Sequence, residues 1–332
     1  VTHPELASNR SGFGGRGYRI PGHKDKYGKQ LVYPSVTTVL GSIDKPGIKQ
    51  WIADETAAFA VANLRYLEQH REEVGWRYLR HHWHREPDLS ASELRLHHDG
   101  VKNDAAELGT NLHEWIEADI GLLTQYPELD SPEAEQMADV FDLWAARHDV
   151  ESHAMEFTVV HPELRYAGTA DGHWTIACRH ANPCLGTDEP VDCLIDLKTS
   201  RYTWPEHGAQ LAALAEAPVR MRRVEQGTPG ARKHEKTESG VRRVSWWVEE
   251  EQSKYARLAL LHIRPDDLDP RGERIPAYCE LEDRTEDRDI YWALFKGALA
   301  TTHATHTLRQ RLKARQAFDI YSLYEKKEAL SA

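Results

Sequence analysis

The chain has 332 residues, 40% of them hydrophobic and 29% charged, with a formal net charge of −11. This composition is that of a soluble globular protein with material for a sizeable core, and no run approaches the roughly 18 apolar residues needed to span a bilayer. The acidic balance argues against a general nucleic-acid coat protein. It leaves room for a nucleic-acid enzyme whose carboxylates hold cations while a local basic groove meets the phosphates.

Residues 1–32 read as an irregular leader, polar and Gly-rich, unlike a signal peptide. "GFGGRG" at 12–17 fits the letter of a dinucleotide loop, but no strand precedes it and no helix follows, so the match is discarded. "YPSVTTVLGSI" (33–43) is β-branched and bounded by Pro and Gly. "DKPGIKQWIADETAAFAVANLRYLEQH" opens with helix-start signals. Residues 71–99 keep a helical pattern rich in histidine, which fits a surface helix face better than a metal site. Strong helix formers fill 101–123, and a second helix over 131–149 carries a Ser cap and an early Pro.

The period then changes to two. "HAMEFTVVHPELRYAGTADGHWTIAC" reads as two strands joined by the turn "HPEL", and "VDCLIDLKTS" as a third. A short Ala-rich helix follows at 205–218. Residues 219–243 carry eight Lys or Arg against three Glu and few apolar residues, so they are expected to form a mobile basic insertion. Residues 1–50 have the same eight-to-three balance. Further strands are expected at "YARLALLHIRPDDL" and "IPAYCELE", with helix over most of 286–329. The order predicts one α/β domain over 33–332 with a mixed sheet. Its parts are a helical lobe (33–150), a core (151–217), the basic insertion, and closing strands and C-terminal helices (244–332).

The cysteines at 178, 184, 193 and 279 do not resemble a secreted disulfide framework, so a reducing cytoplasm is the expected setting. Their spacing is irregular and contains no CxxC pair, a poor match to zinc or iron–sulfur binding.

Chemistry concentrates around "CLIDLKTS" (193–200). On a strand, Asp196 and Lys198 share one face with Leu194, while Cys193, Ile195 and Leu197 take the other. A buried charge is expensive unless it is paired or meets a metal. One reading is a surface ion pair. The other joins Asp196 and Lys198 to Asp171 of "GTADG", whose small flanking residues leave room for a ligand. His113 and Glu117, four apart on a helix, share a face, and Glu156 is a further carboxylate able to point into the same site. Two aspartates brought together repel, and a divalent cation turns that repulsion into binding. Oxygen ligands favour Mg²⁺ or Mn²⁺, one imidazole tilting the set toward Mn²⁺. A lysine beside them suits hydrolysis of a phosphodiester.

"GTNLHEWIE", "GTADG", "DLKTS" and "HGAQLAALAEA", in that order, resemble the RecB-type branch of the PD-(D/E)XK nucleases, in particular the stand-alone exonuclease-like proteins of phages of actinobacteria. The resemblance implies a restriction-endonuclease-like sheet flanked by helices, and a metal-dependent DNA exonuclease. It implies metal contacts from His113, Asp171, Asp196 and the carbonyl of Leu197, and a catalytic Lys198. Gln210 would support the site or touch DNA, and Thr199 closes the strand motif beside it. The substrate implied is linear DNA with a free end. A phage recombination partner and an oligomeric assembly are both compatible, and the setting would be the host cytoplasm. Relatives often carry tyrosine four residues after the glutamine, where this chain has Leu214. The iron–sulfur cysteines of many relatives have no counterparts, so no cluster is expected, and the lack of GxxxxGK[ST] removes ATP-driven activity. The alternatives are a catalytically idle DNA-end-binding or recombination accessory protein on the same fold, and a structure-specific endonuclease.

Overall fold

The strands β4 (His148–His161), β5 (Tyr166–Cys178) and β6 (Val191–Lys198) form the centre of an eight-stranded mixed sheet. The computed structural model describes residues 6–8, 12–63, 89–121, 126–178, 185–187, 189–238, 241–268 and 271–329. The N-terminal elements are β1 (Ala7–Ser8), β2 (Gly17–Tyr18), β3 (Tyr33–Pro34), α1 (Val36–Leu40) and α2 (Pro46–Ala62). Two helices, α3 (Leu89–Ile120) and α4 (Pro132–Ala145), precede β4. After β6 come α5 (Pro205–Glu216), β7 (Val219–Val224), β8 (Arg232–Glu238), β9 (Val241–Glu251) and β10 (Arg257–Arg264). The small pair β11 (Asp267–Leu268) and β12 (Arg274–Ile275), then β13 (Tyr278–Asp283) and α6 (Arg288–Ala329), complete the order.

The sheet order is β13-β10-β6-β5-β4-β7-β9-β8, with β6 and β10 parallel and the other neighbours antiparallel. β6 and β10 are buried on both faces, which is why "CLIDL" and "LALLHI" read as continuous apolar runs rather than alternating ones. Helices α1, α5 and α6 cover one face, where Val36, Leu194, Leu211, Leu258, Leu260 and Phe295 form a core. Helices α3 and α4 cover the other through Leu112, Ile116, Phe141 and Trp144, against Trp174, Ile195 and Leu261. The result is an α/β fold with a mixed central sheet between helical layers.

Local signals set most boundaries. The Ser131 hydroxyl accepts from the Ala134 amide at 3.2 Å, Pro132 follows it, and Glu133 and Glu135 fill the positive first turn of α4. Ser35 caps α1 in the same way through the Thr38 amide, at 3.0 Å.

Two expectations are corrected. Residues 219–243 are not an insertion without regular structure, since they supply β7, β8 and the start of β9 and extend the sheet. Ladder hydrogen bonds do for this segment what apolar burial does elsewhere, and ion pairs Arg222–Glu250, Arg232–Glu249 and Arg242–Glu235 neutralise much of its charge. Nor is the described part of residues 1–32 a separate irregular leader. Leu6, Tyr18 and Ile20 are buried with Tyr33 against Val160, Ala167 and Met221 of the main sheet. Of the His-rich stretch, 71–88 lies outside the described residues, while His97 and His98 sit on α3. No helix among the described residues is long and apolar enough to cross a membrane.

Helix α6 is anchored through Phe295, which is fully buried and meets Tyr166 edge-on at a ring separation of 4.8 Å. Phe295→Ala is expected to lower unfolding free energy by about 3–5 kcal/mol, read from urea denaturation, because it removes a fully buried aromatic ring from a packed core.

Candidate metal centre

The sheet opens where the site lies. The pairing of β5 with β6 ends at Gly172 and Ile195, whereas β6 stays with β10 as far as Lys198. Beyond that point the Leu197 amide donates to the Asp171 carboxylate, at 2.8 Å, in place of a strand carbonyl. The same register sets Asp171 beside Asp196, and the β4–β5 register sets Glu156 beside Asp171, between the pairs Met155–Gly172 and Phe157–Ala170. Three carboxylates from three adjacent strands therefore stand in a row.

Helix α3 supplies the fourth group. A side chain at Gly109 would strike the Thr199 hydroxyl, 2.7 Å from where its Cβ would sit, so glycine lets α3 close on the end of β6. One turn further along, His113 meets the Leu197 carbonyl. Ligand atoms of His113, Glu156 and Asp171 all lie within 4.8 Å of one another. Asp196, fully buried, stands next to them but is engaged elsewhere, accepting from Gln210 Nε2 at 2.8 Å and touching the Lys198 ammonium. Lys198 also reaches its neighbour's carbonyl, that of Leu197, at 3.4 Å.

The residues singled out from sequence thus converge, with differences of role. Glu156 rather than Asp196 completes the tightest ligand group, and Gln210 bonds Asp196. Thr199 packs against α3, and its carbonyl accepts from Arg264 at 2.6 Å. Glu117 lines the cleft together with Glu114. The glycines flanking Asp171 chiefly make room for protein: a Cβ at Gly168 would meet Leu214 and Val36, and one at Gly172 the Trp174 indole. Leu214 is accordingly buried in the core.

Arg16 and Tyr18 also line the cleft and were not foreseen. Tyr18 shares a 2.8 Å hydrogen bond with Thr169, and the Arg16 carbonyl accepts from the Ser35 amide at 3.1 Å. Both sit at a strand of two residues, too short to leave a periodic pattern.

Electrostatics in this cleft favour a bound cation. Burial, then the Asp171 and Glu117 charges, push Glu156 up to about 8. Burial also raises Asp196, to about 6, against the pull of Lys198, and raises Asp171 likewise. Glu117 is raised by burial and by Glu114. Burial and the Lys198 charge hold His113 down to about 4, so its imidazole is neutral and able to ligate. Oxygen, oxygen and imidazole nitrogen around a pocket of repelling carboxylates make a group that could hold a metal ion. Glu156 has a further peculiarity, a φ of 44°, the left-handed region that side chains avoid. Such strain costs about 1–2 kcal/mol and collects at functional positions.

No protein-family model matches the chain, and no curated protein matches it either.

In chelator-treated protein the thermal midpoint is expected to fall as pH rises from about 6.5 to 8. Glu156, about 8 when folded against 4.5 unfolded, binds its proton more tightly in the native state, and that stabilisation is lost through this window. The lowered His113 and His207, at about 4 and about 3, act in the opposite sense only below their ordinary 6.5. Glu156→Gln should flatten the slope between 6.5 and 8, and an unchanged slope would refute the carboxylate origin.

Proposed function

We propose that the chain is a metal-dependent deoxyribonuclease of the PD-(D/E)XK superfamily, RecB-type branch, which hydrolyses phosphodiesters of linear DNA from a free end. One observation carries this reading: Glu156, Asp171 and Asp196 stand abreast on neighbouring strands, with the Lys198 ammonium against Asp196 and the His113 imidazole beside Glu156 and Asp171. An ion pair on a solvated strand would need none of this, and Asp196 would not then be wholly buried.

His113, Glu156 and Asp171 would hold the ion, with Asp196 beside them. When bound, a divalent cation supplies charge that polarises a phosphoryl group and acidifies water. The chain's own groups do the rest. Gln210 bonds one oxygen of Asp196 and the Lys198 ammonium pairs with the other, which restrains its carboxylate. The Leu197 amide fixes Asp171 in the same way. Lys198 is mostly buried at the mouth of the split between β5 and β6, where its ammonium can meet the negative charge that builds on a phosphate under attack. Arg16, which lines the cleft, adds a guanidinium suited to a neighbouring phosphate. Exposed Tyr202 and Trp204, stacked edge to face beside the entry to α5, offer surfaces on which a base could stack, whereas Trp115 packs into the core.

The test uses end-labelled linear DNA and a covalently closed circle, each with Mg²⁺, Mn²⁺ or chelator. The expected result is shortening of the linear substrate only, dependent on metal. Lys198→Ala should slow it by roughly 10²-fold or more. Binding of DNA ends without loss of length would favour the idle accessory protein, and cutting of the circle an endonuclease.

A further inference from the structure

The face of the sheet that carries Asp171 and Asp196 continues along the same strands to a second group of side chains. On β5 the residues of this face run Asp171, His173, Thr175, and on β6 they run Asp196, Leu194, Asp192, with His173 paired to Leu194 and Thr175 to Asp192. We propose that His153, His173 and Asp192 form a second cation site, selective for a d-block dication of the zinc type and separate from the oxygen-rich centre.

Three observations converge. The ligand atoms of these residues lie within 4.8 Å of one another: Nε2 of His153 stands 3.7 Å and Nε2 of His173 3.6 Å from Asp192 Oδ1, with the Thr175 hydroxyl bonded to His153 Nε2 and donating to that oxygen at 2.8 Å, a place an ion would take over. Two donors on a tetrahedral zinc ion, each about 2.0–2.1 Å from it, would be about 3.4 Å apart, so the spacing needs only a small contraction. Next, His173 is 7% exposed, and neither of its ring nitrogens has a hydrogen-bond partner. Buried imidazoles nearly always have one, and an absent ion is among the accepted reasons when they do not. Tyr255 holds that ring edge-on, with centroids 4.9 Å apart. Finally, His153 is the extra residue of a β-bulge. The β4–β5 register passes from Ser152–Trp174 to Ala154–His173 and leaves His153 unpaired. A bulge re-aims a side chain, and here it brings His153 to Thr175, at 2.7 Å, and to the cluster.

Two imidazoles and one carboxylate suit Zn²⁺, Co²⁺ or Fe²⁺ rather than Mg²⁺. His153 and Asp192 are exposed, giving an ion an entry path and leaving further coordination positions to solvent. An ion there would tie β4, β5 and β6 together on the strands that carry Glu156, Asp171 and Asp196.

Co²⁺ is the probe, because its visible absorption reports nitrogen ligation directly. Chelator-treated protein is titrated with Co²⁺ under saturating Mg²⁺, which occupies the oxygen-rich centre. One equivalent of Co²⁺ with visible bands is expected, in the parent chain and equally in Asp171→Asn. His153→Ala and Asp192→Asn, both at exposed positions and checked for folding by circular dichroism, should weaken binding at least about tenfold. Failure of the parent chain to take up Co²⁺ would overturn the proposal. So would undiminished binding in both variants, or binding abolished by Asp171→Asn alone.

Discussion

Like charges held together in a poorly hydrated place are the constraint on which this structure turns. Glu156, Asp171 and Asp196 are brought abreast by strand register, and register is not negotiable once both faces of β6 are buried. Their mutual repulsion has to be met locally. The protein meets part of it with Lys198, Gln210 and the Leu197 amide, each spent on an aspartate. The remainder shows as raised proton affinity at Glu156, Asp171 and Asp196. Protonation and a bound dication are the two ways to discharge it.

Much of this was legible in the chain itself, for physical reasons. The alternation in β4 and β5, the continuous apolar run of β6 and the cap of α4 are local signals, and local signals survive into the fold. Grouping His113, Asp171, Asp196 and Lys198 required only that chemistry as costly as a buried Asp–Lys strand face have a reason. The members of the tightest ligand group were less legible. Glu156 enters the tight group through a β4–β5 register that shifts at a bulge, and Asp196 is bonded by a glutamine fourteen residues later. Neither is a matter of spacing.

The misreadings share a cause. Residues 219–243 looked too polar to fold because hydrophobicity was the measure, yet an antiparallel ladder at a sheet's edge needs backbone partners more than apolar side chains. The leader looked irregular because its strands are two residues long. Arg16 and Tyr18 stayed hidden for the same reason. His153 was hidden by a bulge, which breaks the alternation that pattern reading depends on.

The twisted backbone at residue 156 also bears on any effort to improve the protein. Glycine would relax there, and asparagine is better tolerated than glutamate. Variants selected for folding alone would therefore drift toward those residues and lose the carboxylate. Robustness and chemistry pull this one position in opposite directions, so a thermostable library should hold it fixed and seek its gains elsewhere.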